Sequence, residues 1–167
     1  MTFDSVWLAG WGCRKSRLAV AGVGAGVDFQ VFVKVYYGSG VDGDEVVNPE
    51  LGGTNVAAKI YAGGSCRRDF GDLRFTGPDK TSLYPYKLIK KVNGSYALFG
   101  VKVTDNLDSD CRVWFYYGNY AASSISVDSA FIDIIPGVVG AWAGEETTGT
   151  NVADSSGNGN NGTATGT

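Results

Sequence analysis

The chain has 167 residues, 44% of them hydrophobic, with 25 glycines, one methionine and a formal charge of −3. Such a length suits one domain or one domain plus a fragment, and the glycine excess favours turns and short strands over helices. The mild acidity excludes the basic footprint of a nucleic-acid binder, no run of about 18 apolar residues is present to span a membrane, and the absence of histidine removes Ser-His-Asp and Cys-His catalysis and histidine-ligated metals unless another chain supplies the imidazole.

Residues 1–10 read as an entry segment. The start lacks a basic region and its apolar run is broken by Asp4, Ser5 and Gly10, so it is not read as a signal peptide. A protein with this start that works outside the cell is expected to leave by another route, such as assembly into a virus particle. Trp11 is a candidate core anchor, because its ring can bury a large apolar area. Arg17–Ala21 reads as a short strand and residues 22–27 as a glycine-rich turn. Residues 28–37, DFQVFVKVYY, alternate with period two. Phe29, Val31, Val33 and Val35 share one face, while Gln30, Phe32, Lys34 and Tyr36 share the other, half-polar one.

Residues 38–53 form a glycine- and acid-rich excursion longer than most loops. Asn55–Tyr61 reads as a strand or a short helical turn. Residues 63–75 contain CRRDFGDLRF, and residues 77–80 form a turn. Tyr86–Val92 and Ser95–Val103 read as strands joined by Asn93-Gly94, the strongest hairpin marker in the chain. In the second strand Ala97, Phe99, Val101 and Val103 alternate against Tyr96, Leu98, Gly100 and Lys102. An acidic turn at 105–110 leads into Cys111–Asn119, CRVWFYYGN, a strand buried on at least one face and the centre around which the others pack. Residues 120–126 are small and polar. Residues 127–135 return to apolar character before Pro136-Gly137, and from Val138 glycine, asparagine, threonine and serine dominate. Many short strands between glycine-rich turns, without sustained helical periodicity, predict an all-β, antiparallel β-sandwich of jelly-roll type over residues 11–135, followed by an extended C-terminal segment from 136 to 167.

Cys13, Cys66 and Cys111 are widely spaced and include no C-x-x-C pair, which fits neither a zinc site nor a disulfide framework. They are read as buried thiols, with one disulfide plus a free thiol as the alternative.

Several segments in order, WGCRK at 11–15, DFQVFVKV at 28–35, DLRFT at 72–76, LYPYKL at 83–88, ALFGVKV at 97–103 and WFYYGN at 114–119, resemble a family of β-sandwich domains of unknown function. That family recurs in surface, secreted and phage-borne proteins, and the resemblance brings no catalytic residues with it. Residues 138–167, with Ala141-Trp142, EETTGT at 145–150 and DSSGNGNNGT at 154–163, are similar to the opening of a concanavalin A-like, laminin G-type jelly roll. They cover only the first strands of such a module and are too few to bury a core of their own.

Candidate site residues follow from side-chain chemistry. Asp72 and Arg74 lie opposite Leu73 and Phe75 on alternate faces, and Arg74 could hold a ligand carboxylate or a sugar. Tyr84, Tyr86, Tyr116, Tyr117 and Tyr120 could form a sugar-stacking platform, with Asn119 beside it. The acids at 42, 44 and 45 and at 105, 108 and 110 lack the spacing of a calcium loop. Asp154, Asn158 and Asn160 form a Ca²⁺ candidate, because jelly rolls of the resembled kind carry calcium near such a loop. Glu145 and Glu146 are adjacent and would face opposite sides of a strand, so they cannot flank one glycosidic bond. The function expected is that of a non-enzymatic structural or adhesion module of a virion or surface protein. A phage fibre or capsid-decoration protein fits, working through protein contacts or self-association. The alternative is a carbohydrate-binding module.

Overall fold

A computed structural model describes residues 6–19, 22–47, 56–127, 140, 142, 148–154 and 159–165. Among them there is no helix, and the strands form an all-β sandwich. The strands are β1 (Cys13–Ala19), β2 (Phe29–Tyr36), β3 (Gly43–Val46), β4 (Val56–Tyr61), β5 (Arg74–Thr76), β6 (Tyr86–Val92), β7 (Tyr96–Val103), β8 (Cys111–Tyr117), β9 (Asn151–Val152) and β10 (Gly162–Thr163). One layer is a three-stranded sheet ordered β1-β8-β5, and the other is a five-stranded sheet ordered β3-β4-β2-β7-β6. Strands β9 and β10 form a separate antiparallel pair.

The pairing is antiparallel throughout, with one exception: β2 and β4 run parallel. Their geometry follows from the order of the chain. After β2 the chain passes to the outer position as β3, and the return strand β4 fills the gap between them. Residues 56–61, ambiguous in the sequence, are therefore a strand with neighbours on both sides. The first strand starts at Cys13, earlier than the expected 17, because Cys13 to Ala19 pair with β8, from Cys13 opposite Tyr117 to Ala19 opposite Cys111; residues 20 and 21 lie outside the described residues.

Period-two alternation fills the space between the layers. Val33, Val35, Ile60, Ala97, Phe99, Val101 and Val103 from the large sheet meet Phe75, Val113, Phe115 and Tyr117 from the small one. Phe75 is the hub of this layer. Its ring centroid lies 5.1 Å from that of Tyr86, 5.3 Å from Phe99 and 5.7 Å from Phe115, in tilted and edge-on arrangements favoured by the aromatic quadrupole. The hairpin at Asn93-Gly94 forms with a three-residue loop, Val92 opposite Tyr96 and Gly94 at φ 71°. A bulge between Leu88 and Lys90 interrupts the β6–β7 register, and Ile89 packs on the outer face with Phe32, Val47, Ala57 and Leu98.

The outer face of the small sheet is covered by the entry segment. The Arg14 guanidinium lies between two indoles, 4.2 Å from the Trp7 ring centroid and 4.6 Å from that of Trp114, and Trp7 meets Tyr116 edge-on. Trp11 is anchored by its indole N–H, which donates to the Asp72 carbonyl at 2.7 Å. No disulfide forms among the three cysteines: Cys66 and Cys111 are buried and Cys13 is partly so.

Candidate functional site

The residues expected to bind a ligand are buried, with the exceptions of Asn119 and Tyr120. Asp72 is fully buried, and its two carboxylate oxygens accept the backbone N–H groups of Arg67 and Gly118 at 2.9 and 2.8 Å. Arg74 is buried against Trp11 and donates to the carbonyls of Gly71, Leu73 and Ser123. Tyr84 gives its hydroxyl to Asp105 beside Cys111 Sγ, and Tyr86 gives its own to the Leu73 carbonyl. Burial drives the Tyr84 hydroxyl well above the usual tyrosine range, and pushes Tyr117 up to about 12. All five candidates, Asp72, Arg74, Tyr84, Tyr86 and Tyr117, are thus buried where a ligand-binding surface was expected, and the hydrogen bonds of the first four are made within the fold. Tyr116 is likewise buried, beneath Trp7.

Asn119 caps a turn, its side-chain oxygen accepting the Ala121 N–H at 3.2 Å. The Ca²⁺ candidate is a loop closed on itself: the Asn160 N–H donates to the Asp154 carboxylate at 2.8 Å, and the Asp154 N–H donates to Asn161 Oδ1 at 2.9 Å. Asn158 lies outside the described residues, as do Glu145 and Glu146. Among the described residues no cluster of three acids, cysteines or histidines is placed to hold a metal. The earlier acids serve elsewhere: Asp42 pairs with Lys15, Asp44 with Arg17 and Glu45 with Lys34.

Among the described residues, two concavities lie at opposite ends of β2. The first, about 760 Å³, opens between the layers near the start of that strand. Phe29, Val31, Val56, Ala58, Val113 and Phe115 line it, with Arg17 and Asp44 among the lining residues. Phe29 and Val56 belong to the inward-facing rows of the large sheet, yet 49% and 56% of their surface stays exposed. The small sheet does not reach over them. Strand β1 forms one free edge beside this cleft and β3 another; among the described residues neither has a second strand on its outer side.

The second concavity, about 390 Å³, is a hollow at the far end of β2, lined by Tyr37, Cys66, Arg67, Arg68, Asp69, Asn93 and Tyr120. Its base is fixed. Arg67 grips Asp69 with two parallel hydrogen bonds of 2.9 and 2.8 Å and donates a third to the Ala122 carbonyl at 2.8 Å. The hydrogen bond from Arg67, with a further one from the Gly71 N–H, holds the Asp69 carboxyl below the usual range. Phe70 sits buried at φ 59°, a conformation unusual for a bulky residue, held by the bonds around it. The hairpin tip is tied to this loop through the Gly94 N–H, 2.7 Å from the Arg68 carbonyl. Burial beside Asp72 pushes the Cys66 thiol up to about 12, so it is an inert wall rather than a nucleophile.

Of this hollow only Tyr120 belonged to the residues singled out from sequence. Tyr37 was legible only as the end of a strand, Asn93 as a hairpin residue, and Arg67, Arg68 and Asp69 as part of the CRRDFGDLRF segment. No protein-family model, no curated protein and no solved structure matches this chain.

Proposed function

We propose that the chain is a non-enzymatic structural or adhesion module that works by protein–protein contact, associating with copies of itself through its open flank. The observation that supports this is the placement of two free strand edges, β1 and β3, on one flank beside an apolar cleft. A free edge can accept a partner strand, and an uncovered apolar row beside it supplies the area that such pairing needs. The inward charges Lys15 and Arg17, paired with Asp42 and Asp44 at 2.8 and 2.7 Å, guard the flank against indiscriminate pairing, so a matching partner is required. The setting in a virion fibre, a capsid decoration or another surface protein follows from the resemblance to domains that recur there.

Light scattering on the purified chain tests this. A defined oligomer is expected, and Val56→Lys, which places a charge in the exposed apolar row, is expected to return it to a folded monomer. A chain that stays monomeric at every concentration would overturn the proposal.

A further inference from the structure

The hollow at the end of β2 has a locked base and an unoccupied rim. Arg67 and Asp69 are committed to each other and to the backbone. Four rim side chains are different. Among the described residues no acid pairs with the Arg68 guanidinium, which lies 5.6 Å from the Tyr37 ring centroid. It rests against Gly94, where an added Cβ would meet Arg68 Nε at 3.1 Å. The Asn93 carboxamide and the hydroxyls of Tyr37 and Tyr120 likewise have no hydrogen-bond partner among the described residues, and the Tyr120 residue is 63% exposed. Two guanidiniums stand here against one carboxylate, on a chain whose formal charge is −3.

This combination selects a ligand. The exposed Tyr120 ring offers a flat apolar face with a polar tip, which suits the C–H face and the hydroxyls of a pyranose. An unpaired guanidinium is a planar fork shaped for a carboxylate. The volume, about 390 Å³, is at the small end of ligand sites and suits one or two sugar units. We propose that the hollow binds an acidic sugar, its ring face on Tyr120 and its carboxylate on Arg68, with Asn93 and the Tyr37 hydroxyl serving the sugar hydroxyls. The site lies at the opposite end of β2 from the open flank, and it stands or falls separately from the contact reading above.

Calorimetric titration of the full chain with sodium glucuronate, glucose, acetate and inorganic phosphate tests it. Glucuronate is expected to bind about tenfold more tightly than glucose, the increment of one charge-assisted hydrogen bond, and more tightly than acetate or phosphate. Arg68→Met should bring glucuronate down to the level of glucose, and Tyr120→Ala should weaken both sugars. Both substitutions are at the rim, and near-ultraviolet circular dichroism checks that the fold persists. The proposal is overturned if no sugar binds, if glucuronate binds no better than glucose, if phosphate competes equally well, or if Arg68→Met leaves glucuronate binding unchanged. None of these outcomes bears on the oligomeric state, which light scattering reads independently.

Discussion

Asp72 is a charged side chain with no solvent and no salt-bridge partner at hydrogen-bond distance; its carboxylate is satisfied by two backbone N–H groups, those of Arg67 and Gly118. These donors come from the loop under the hollow and from the end of β8, so one side chain joins the two. Asp72→Asn keeps the shape but turns an NH₂ group toward one of the donors. The expected loss is about 2–3 kcal/mol, the cost of one charge-assisted bond and one unsatisfied buried donor, read as a lower urea midpoint with unchanged denaturant slope. The sequence made Asp72 and Arg74 conspicuous, and they are indeed central, but as braces. A buried Asp that accepts main-chain N–H groups and an exposed Asp awaiting a ligand share the same local sequence. Only the burial supplied by Trp11 and β8 separates them. Conversely, Arg68 carried no mark and Asn93 was marked only as a turn residue, because their significance lies in having no internal partner, a property that exists only once the loops meet.

At the scale of elements, alternation and turn chemistry were sufficient for β2, β6, β7 and β8. In β2, β7 and β8 inward apolar positions repeat at period two, while β6, broken by a bulge, is marked by the Asn93-Gly94 hairpin that joins it to β7. The parallel β2–β4 pair was not legible, since a local pattern says nothing about which strand returns to fill a gap. The edge strand β3 is held to the sheet in part by charge. Glu45 lies opposite Ala57 in the register, and it accepts from Lys34 Nζ at 2.8 Å and from the Tyr36 hydroxyl at 2.8 Å. Partial burial tends to raise the Glu45 pKa, but the hydrogen bonds from Lys34 and Tyr36 together outweigh it and the net shift is downward. Asp69 is lowered chiefly by Arg67, and Asp79 by the Ser82 hydroxyl and the Thr81 and Ser82 N–H groups. A carboxyl whose folded pKa is depressed stabilises the fold above its unfolded pKa, near 4, and loses that contribution as pH falls through the folded value. The urea midpoint is therefore expected to fall as pH drops below about 4, and Glu45→Gln should flatten part of that fall. An identical pH profile for the variant would remove β3 from the account.

The whole molecule is closed on one flank and open on the other. On the closed flank, residues 83 and 84 pair with β5 through the main chain, and residues 125–127 run along the Tyr86–Leu88 end of β6. On the open flank, among the described residues, the ties between β1 and the segment leading through β3 are the side-chain pairs Lys15–Asp42 and Arg17–Asp44. Asp42 is itself fixed by the Tyr61 N–H at 2.8 Å, whereas Asp44 is largely exposed. Pairs this accessible contribute at most about 1 kcal/mol each and weaken as salt screens them. Behind them lies the apolar cleft, so their loosening should be visible as access to that cleft and not as unfolding. Nile red, a neutral probe whose own charge cannot confuse the result, is expected to fluoresce more strongly with dilute protein as sodium chloride is raised, while the urea midpoint moves little. The double variant Lys15→Ala, Arg17→Ala should give the high-salt fluorescence already at low salt and show no further rise. If the wild-type signal is flat with salt, or the double variant still responds to it, the two ion pairs do not hold this flank, and its closure must come from the backbone of β1 and β3 themselves.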